Sequence, residues 1–243
     1  MINRAMSISA SALESLLARQ DVLANNLANV NTVGFKADVA VLKSFPDIFQ
    51  KELGQISGGV RIDAVEMNAR QGELMHTGNV FDVAIQGEGF FVVQTPQGER
   101  YTRSGNFVLN PQGQLTTQQG YTVMGEGGPV TINGSDASIT AEGAVVVDGA
   151  AVNRLRLVSF EQPYRLQREG GNVFAPADGA VTVLSAPADT QVRGGMLESS
   201  SVSAVHSLTQ MLELQRAFEL NQRVLQDLDE SLRRSINDVG RTR

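Results

Sequence analysis

The chain has no cysteine, no tryptophan and only two histidines among its 243 residues. Without cysteine there are no disulfides, no thiolate metal sites and no cysteine nucleophile. Aromatic residues make up 5% of the chain, so any core must be mainly aliphatic. No apolar run approaches the roughly 18 residues that span a bilayer. The opening "MINRAMSISASALES" never assembles the apolar h-region of about 7–15 residues of a secretory signal. Export, if it occurs, is therefore expected to use a route without a cleaved signal. Positive charge is in deficit as well: the formal charge is −6 and the pI about 5.0. With no cluster of lysine and arginine, a nucleic-acid partner is not expected.

The usual carriers of chemistry are also missing. His76 and His206 stand in no HxxxH or HxxE spacing, so neither marks a metal site. "QGEGF" and "GEGGP" lack the lysine–serine/threonine ending of a phosphate loop, and no helical pattern follows them. Both read as β-turns. Glu161 and Glu169 flank "QPYRLQR", the one place where a glycosidase pair could be sought, but the turn-rich context makes them surface residues. No GxSxG elbow is present. The expectation is a protein that is not an enzyme, with no catalytic residues, cofactor, metal or small-molecule substrate.

What is abundant is periodicity and glycine: 42% of residues are hydrophobic and 24 are glycine. Near the N-terminus, Met6, Ser9, Leu13, Leu16, Gln20, Leu23, Leu27 and Val30 alternate three- and four-residue steps, a heptad-like seam. Gly34 follows where a helix end or turn needs positive φ. At the other end Leu208, Met211, Gln215, Phe218, Gln222, Leu225, Asp229, Leu232 and Ile236 step in the same way. Leu212, Leu214, Val224 and Leu228 widen that apolar face, and Ser201 or Ser203 could cap its start. Between Gly78 and Gly195, short β-type runs such as "FDVAI", "GFFVVQT" and "YTVMG" alternate with turn signals such as "TPQG", "NPQG" and "NGSD". The predicted fold is α+β and multi-part. A helix over 1–34 and a helix over 198–243 pair as a coiled-coil-like unit, a connector fills 35–77, and an antiparallel β domain spans 78–197.

One local feature resists this simple reading. "NNLANVN" continues the first helix into a cluster of asparagines, mediocre helix formers whose amides compete for backbone hydrogen bonds. Asn31 and Gly34 make sense as a helix end. Asn25, Asn26 and Asn29 lie within the register of Leu23 and Leu27, where their amides could bond a neighbouring helix.

Three stretches resemble one family, the bacterial flagellar basal-body rod and hook proteins. "RQDVLANNLANVNTVGFKAD" looks like its N-terminal signature, with the Asn25–Asn29 core intact. The run from "TGNVFDVAIQGEGFF" to "QQGYTVMG" is similar to its β segment. "GGMLESSSVSAVHSLTQMLELQRAFELNQRVLQDLDE" resembles its C-terminal signature. Length sets the chain with the two long rod proteins; "VMGEGGPVTI" and "KADVAVLKSFPDIF" look more like the proximal than the distal one, and the hook protein is more distant. The resemblance implies a structural subunit whose terminal helices form the inner layer of a helical tube, with the β domain outside. It implies export through the flagellar type III apparatus, assembly with copies of itself and other rod proteins in the periplasmic basal body, and transmission of torque around the export channel. The alternative is a soluble β-domain adaptor that binds one partner through its C-terminal helix.

On this reading the residues expected at subunit contacts are Leu23, Asn25, Asn26, Leu27, Asn29, Gly34, Leu212, Phe218, Leu225 and Leu228. Asn25 and Asn29 are expected to fix register between subunits, as a buried polar residue does in coiled coils. The terminal helices are expected to gain order on assembly, since a lone exposed seam of roughly 25 residues is marginal in water.

Overall fold

A computed structural model describes residues 2–44, 60–161, 164, 166–177, 182–187 and 189–241. Two helices bracket the chain: α1 at Ile2–Ala28 and α2 at Ala204–Arg241. The strands between them open with β1 Asp38–Ser44, β2 Val60–Met67, β3 Leu74–His76, β4 Val83–Gln86, β5 Phe90–Thr95 and β6 Gly98–Thr102. They continue with β7 Val108–Leu109, β8 Leu115–Thr116, β9 Thr122–Gly125, β10 Gly128–Pro129, β11 Ala137–Ile139, β12 Ala144–Val147 and β13 Ala150–Arg154. The series closes with β14 Leu157–Phe160, β15 Leu166–Arg168, β16 Val173–Pro176, β17 Val183–Ser185, β18 Gln191–Gly194 and β19 Met196–Glu198. The connector expected at 35–77 thus carries the strands β1, β2 and β3; its stretch at 45–59 lies outside the described residues.

The chain divides into two compact units, one drawn from 1–28, 38–66 and 203–243, the other from 29–37 and 67–202. In the first, α1 and α2 pack against each other and β1 pairs with β2. Ser203 caps α2: its Oγ accepts from the His206 N–H at 3.4 Å and its carbonyl from Ser207 at 2.9 Å. That satisfies donors a helix start leaves open.

The second unit is a meander of short antiparallel strands. Its largest sheet runs β15-β16-β6-β5-β9-β8-β7, with β10 on β9 and β14 joining β5 to β17. β5 is the axis. Its side chains point alternately to opposite faces, and both faces are covered. Phe91 and Val93 enter one core with Val83, Ile85, Phe107, Leu115 and Val123. Phe90 and Val92 enter another with Tyr101, Val158, Phe160, Tyr164 and Phe174. Edge-on ring contacts bind this second core, with Phe90–Phe174 centroids 5.9 Å apart and Tyr101–Phe160 4.8 Å apart. The unit is closed by its last strands, β18 pairing with β4 and β19 with β3. Residues about 120 positions apart are joined in this way, Met196 lying opposite His76.

Candidate assembly site

The seam predicted for α1 is buried or half-buried from Met6 through Ser9, Leu13, Leu16, Gln20 and Leu23 to Leu27. On α2, Met211, Phe218, Leu225 and Leu232 turn inward as predicted, but the alternate row differs by one residue. Ser207, Leu214, Asn221 and Leu228 are covered, while Leu208, Gln215 and Gln222 are exposed. The shift has a plain cause. The predicted row would bury Gln215 and Gln222, whereas the observed row covers Leu214 and small or self-satisfied polar groups; further along, Leu228 and Asp229 are both half-buried. Asn221 Nδ2 donates to the Ala217 carbonyl at 3.1 Å, and a buried amide needs such a partner.

The rotation leaves apolar side chains outside the seam. Val205, Leu208 and Leu212 lie in a three–four row, exposed by 77%, 48% and 58%. Leu220 and Val224 continue further along the helix and are also exposed. Of the residues expected at subunit contacts, Leu23, Leu27, Phe218, Leu225 and Leu228 are half-buried, and Leu212 faces out.

The asparagines divide their work. Asn25 is exposed, whereas Asn26 is buried. Asn26 Nδ2 donates to the Asp38 carbonyl at 2.8 Å, and the Asp38 N–H donates to Asn26 Oδ1 at 2.8 Å. The amide thus copies a backbone pairing partner for the first residue of β1. Asn29 turns the chain, its carbonyl accepting from the Thr32 N–H and its Oδ1 from the Thr32 hydroxyl, both at 3.1 Å. Gly34 has φ +64°, and a Cβ there would run into the backbone of Arg103. Gly34 therefore serves a close approach within the β unit as well as a turn.

That approach belongs to a clasp that the periodicity did not reveal. The Gly34 N–H donates to the Glu198 carbonyl at 2.7 Å and the Ser201 N–H to the Phe35 carbonyl at 2.9 Å. The Ala37 N–H donates to Ser201 Oγ at 2.9 Å. Ser104 Oγ and Asn172 Nδ2 both donate to the Val33 carbonyl. The Phe35 ring is buried, with the Arg168 guanidinium 4.2 Å from its centroid. Beneath it Lys36 and Glu198 are each 1% exposed, and Arg103 4%. Lys36 Nζ donates to Glu198 Oε1 at 2.6 Å and to the Arg70 carbonyl at 2.9 Å. The Gly72 N–H adds a donor to Oε1 at 2.8 Å, and Arg103 Nη1 reaches Oε2 at 3.3 Å.

Two cations share one carboxylate here. Burial pushes Lys36 below its ordinary 10.5; Glu198 pulls back towards the charged form, and Arg103 adds to the lowering. Burial likewise lowers Arg103, against the attraction of Glu198. Arg103 Nε has no hydrogen-bond partner. Burying ions is costly unless each is paired and hydrogen-bonded, so removing Glu198 leaves Lys36 without an anion and Arg103 with the weaker attraction of Glu88.

The residues examined for other chemistry stand apart. His76 and His206 are both exposed, on β3 and α2. Glu169 engages Arg100 at the surface. An open cavity of about 780 Å³ is walled by Glu142, Arg154, Arg156 and Leu184. Its charged walls are tied down, Arg154 Nε donating to the Glu142 carbonyl and Arg156 pairing with Glu99. No helix among the described residues is long and apolar enough to cross a membrane.

One unit pairs the two terminal helices, and the other is an antiparallel β unit closed by a clasp between its own terminal segments. Residues 6–36 match the family described as flagella basal body rod protein. Residues 84–147 match the flagellar hook protein FlgE/F/G D1 domain, and 193–238 the flagellar basal body rod FlgEFG protein C-terminal. The chain is 33% identical to the flagellar basal-body rod protein FlgG of Agrobacterium fabrum, over 93% of this chain and 96% of that protein. It is equally 33% identical to FlgF of Caulobacter vibrioides, over 99% of both. The flagellar hook-basal body complex protein FlhO of Bacillus subtilis is 28% identical over 95% of this chain and 96% of that protein. The chain belongs to the flagellar basal-body rod protein family. Lys36, Arg103 and Glu198 come one from each of the three matched stretches.

Proposed function

We infer that this chain is a structural subunit of the flagellar basal-body rod, assembling with copies of itself and with other rod proteins into a helical tube. The observation that carries the reading, beside family membership, is the apolar row left outside the helix seam at Val205, Leu208 and Leu212. A face that does not match its own partner helix suits a heterologous contact, and such contacts generate open helical assemblies. Leu23, Leu27, Phe218, Leu225 and Leu228 knit the pair; Leu212 meets the next subunit, and Asn25 and Asn29 set register there. Asn26 and Gly34 act inside the chain, holding the turn from which those contacts are presented.

The tube transmits torque from motor to hook and encloses the export channel, a mechanical role that calls for no catalytic site or cofactor. The subunit reaches the periplasmic basal body through the flagellar type III export apparatus without a cleaved signal. Between the two long rod proteins we favour the proximal one, FlgF, over FlgG, on the "VMGEGGPVTI" and "KADVAVLKSFPDIF" passages.

Purified basal bodies from cells carrying an epitope-tagged chain decide the matter. The tag is expected in the rod fraction, and a Leu212→Asp version is expected to be absent from it. Recovery of the tagged chain only as a soluble one-to-one complex would establish the adaptor reading instead.

A further inference from the structure

We propose that the Lys36–Glu198–Arg103 cluster is a latch that makes the two terminal segments of the β unit, residues 33–37 and 196–201, dock together or not at all. The inference rests on the β unit alone and is independent of the rod reading. Each segment supplies what the other lacks. The first brings Lys36 into the interior, where the Glu198 carboxylate is its sole anionic partner among the described residues. The second brings Glu198 beside Arg103, already tied to the Ile85 and Gly87 carbonyls. Without the first segment, Glu198 loses its shortest contact and the Glu198 carbonyl loses the Gly34 N–H. Without the second, Lys36 and Arg103 remain as buried like charges facing each other.

The backbone is shaped for this closeness. A Cβ on Gly72 would run into the Ser199 carbonyl, just as one on Gly34 would meet Arg103. Both glycines therefore admit a neighbouring backbone closely, Gly34 donating its N–H to the Glu198 carbonyl and Gly72 its own to the carboxylate. In the chain, 33–37 follows α1 and 201 precedes α2. The unit so records, in one buried carboxylate, that both ends of the chain have arrived.

Coupling between two docking events is reciprocal, and amide exchange on the full-length chain measures it residue by residue. Lys36→Met alters only the first segment. It is expected to speed exchange at least tenfold at the Ser199 amide, which bonds to the Glu73 carbonyl and not to the first segment. Ser201→Ala changes the second segment and, in the first, removes only the acceptor of the Ala37 N–H; it is expected to speed exchange at the Gly34 amide, whose acceptor is the Glu198 carbonyl. In both variants the β5–β6 ladder keeps its parental rates. Acceleration confined to the substituted segment, in either variant, overturns the latch. If Lys36→Met loses protection throughout the unit, Ser201→Ala decides alone by the same criterion.

Discussion

Four consecutive side chains of β5, Phe90 to Val93, are 2% exposed or less; on α1 and α2 the only apolar side chain buried among the described residues is Leu214, at 6%. The other buried helical residues are Ser9, Ser15, Asn26 and Ser207, small or polar. Ser15 Oγ returns its hydrogen bond to the Ala12 carbonyl, so the seam admits it without an unmet donor. The β unit therefore holds its own core, in two layers, and the helical unit holds a seam. Burial of apolar area at roughly 25 cal/mol per Å² is the main stabilising term in folding. A unit with little of it depends on what it packs against next. The contrast teaches where each kind of substitution will register: at buried positions as lost stability, on the exposed apolar face of α2 as lost assembly.

The sharpest break falls on the β unit. Glu198→Gln removes the carboxylate in direct contact with two buried cations and is expected to cost about 3–5 kcal/mol, the usual penalty for breaking a buried pair from one side. Urea unfolding followed by tyrosine fluorescence measures it; a loss below about 1 kcal/mol would show that the cluster is solvated in solution. Next comes Asn26→Ala in the helical unit. It strands the N–H and carbonyl of Asp38, and unmet buried polar groups cost about 1–3 kcal/mol. Asn25→Ala, one position away and exposed, is the control, expected to change stability by less than about 0.5 kcal/mol. Equal effects of the two would dissolve the distinction drawn between them.

A pH series sharpens the comparison further. Because burial holds Lys36 below 10.5 in the folded chain, the unfolded chain binds more protons in the interval between the two values. Stability contributed through Lys36 therefore rises with pH across that interval. Tyr101, raised above 10.0 by burial, works the other way at the alkaline end. Subtracting the Lys36→Met profile isolates the lysine: the stability of the parent relative to the variant is expected to increase as pH climbs towards 10.5, read from urea midpoints. A flat or falling difference would mean that Lys36 is not held in the cluster. The smallest effect on stability belongs to Leu212→Asp, within about 0.5 kcal/mol for an exposed position, yet it is expected to abolish swarming on soft agar.

How much of this the sequence disclosed follows the range of the interactions. Local periodicity read the α1 seam from Met6 to Leu27 and located the β region, because a heptad and a two-residue alternation are written in neighbouring residues. On α2 two candidate rows lay one residue apart, both partly apolar, and Leu214 entered the seam in place of Gln215. Asn26 was noticed for its amide, but its partner, the backbone of Asp38, has no side-chain signature. The cluster was missed altogether, since Lys36 and Glu198 stand 162 positions apart. A faint signal was present: each is a lone charge among small or apolar residues, in "TVGFKA" and "GGMLESS". Such isolation marks a charge that is going inside, without saying whom it will meet.

A strand buried on both faces has no outside. Along β9 the burial alternates, so every second position has some access to water; along Phe90–Val93 none does. Odd residues answer to one core and even residues to the other, so a change of shape at any of the four is felt in whichever core that side chain enters. The two cores thus share a party wall one peptide thick, and none of its four side chains has a solvent side on which to relax.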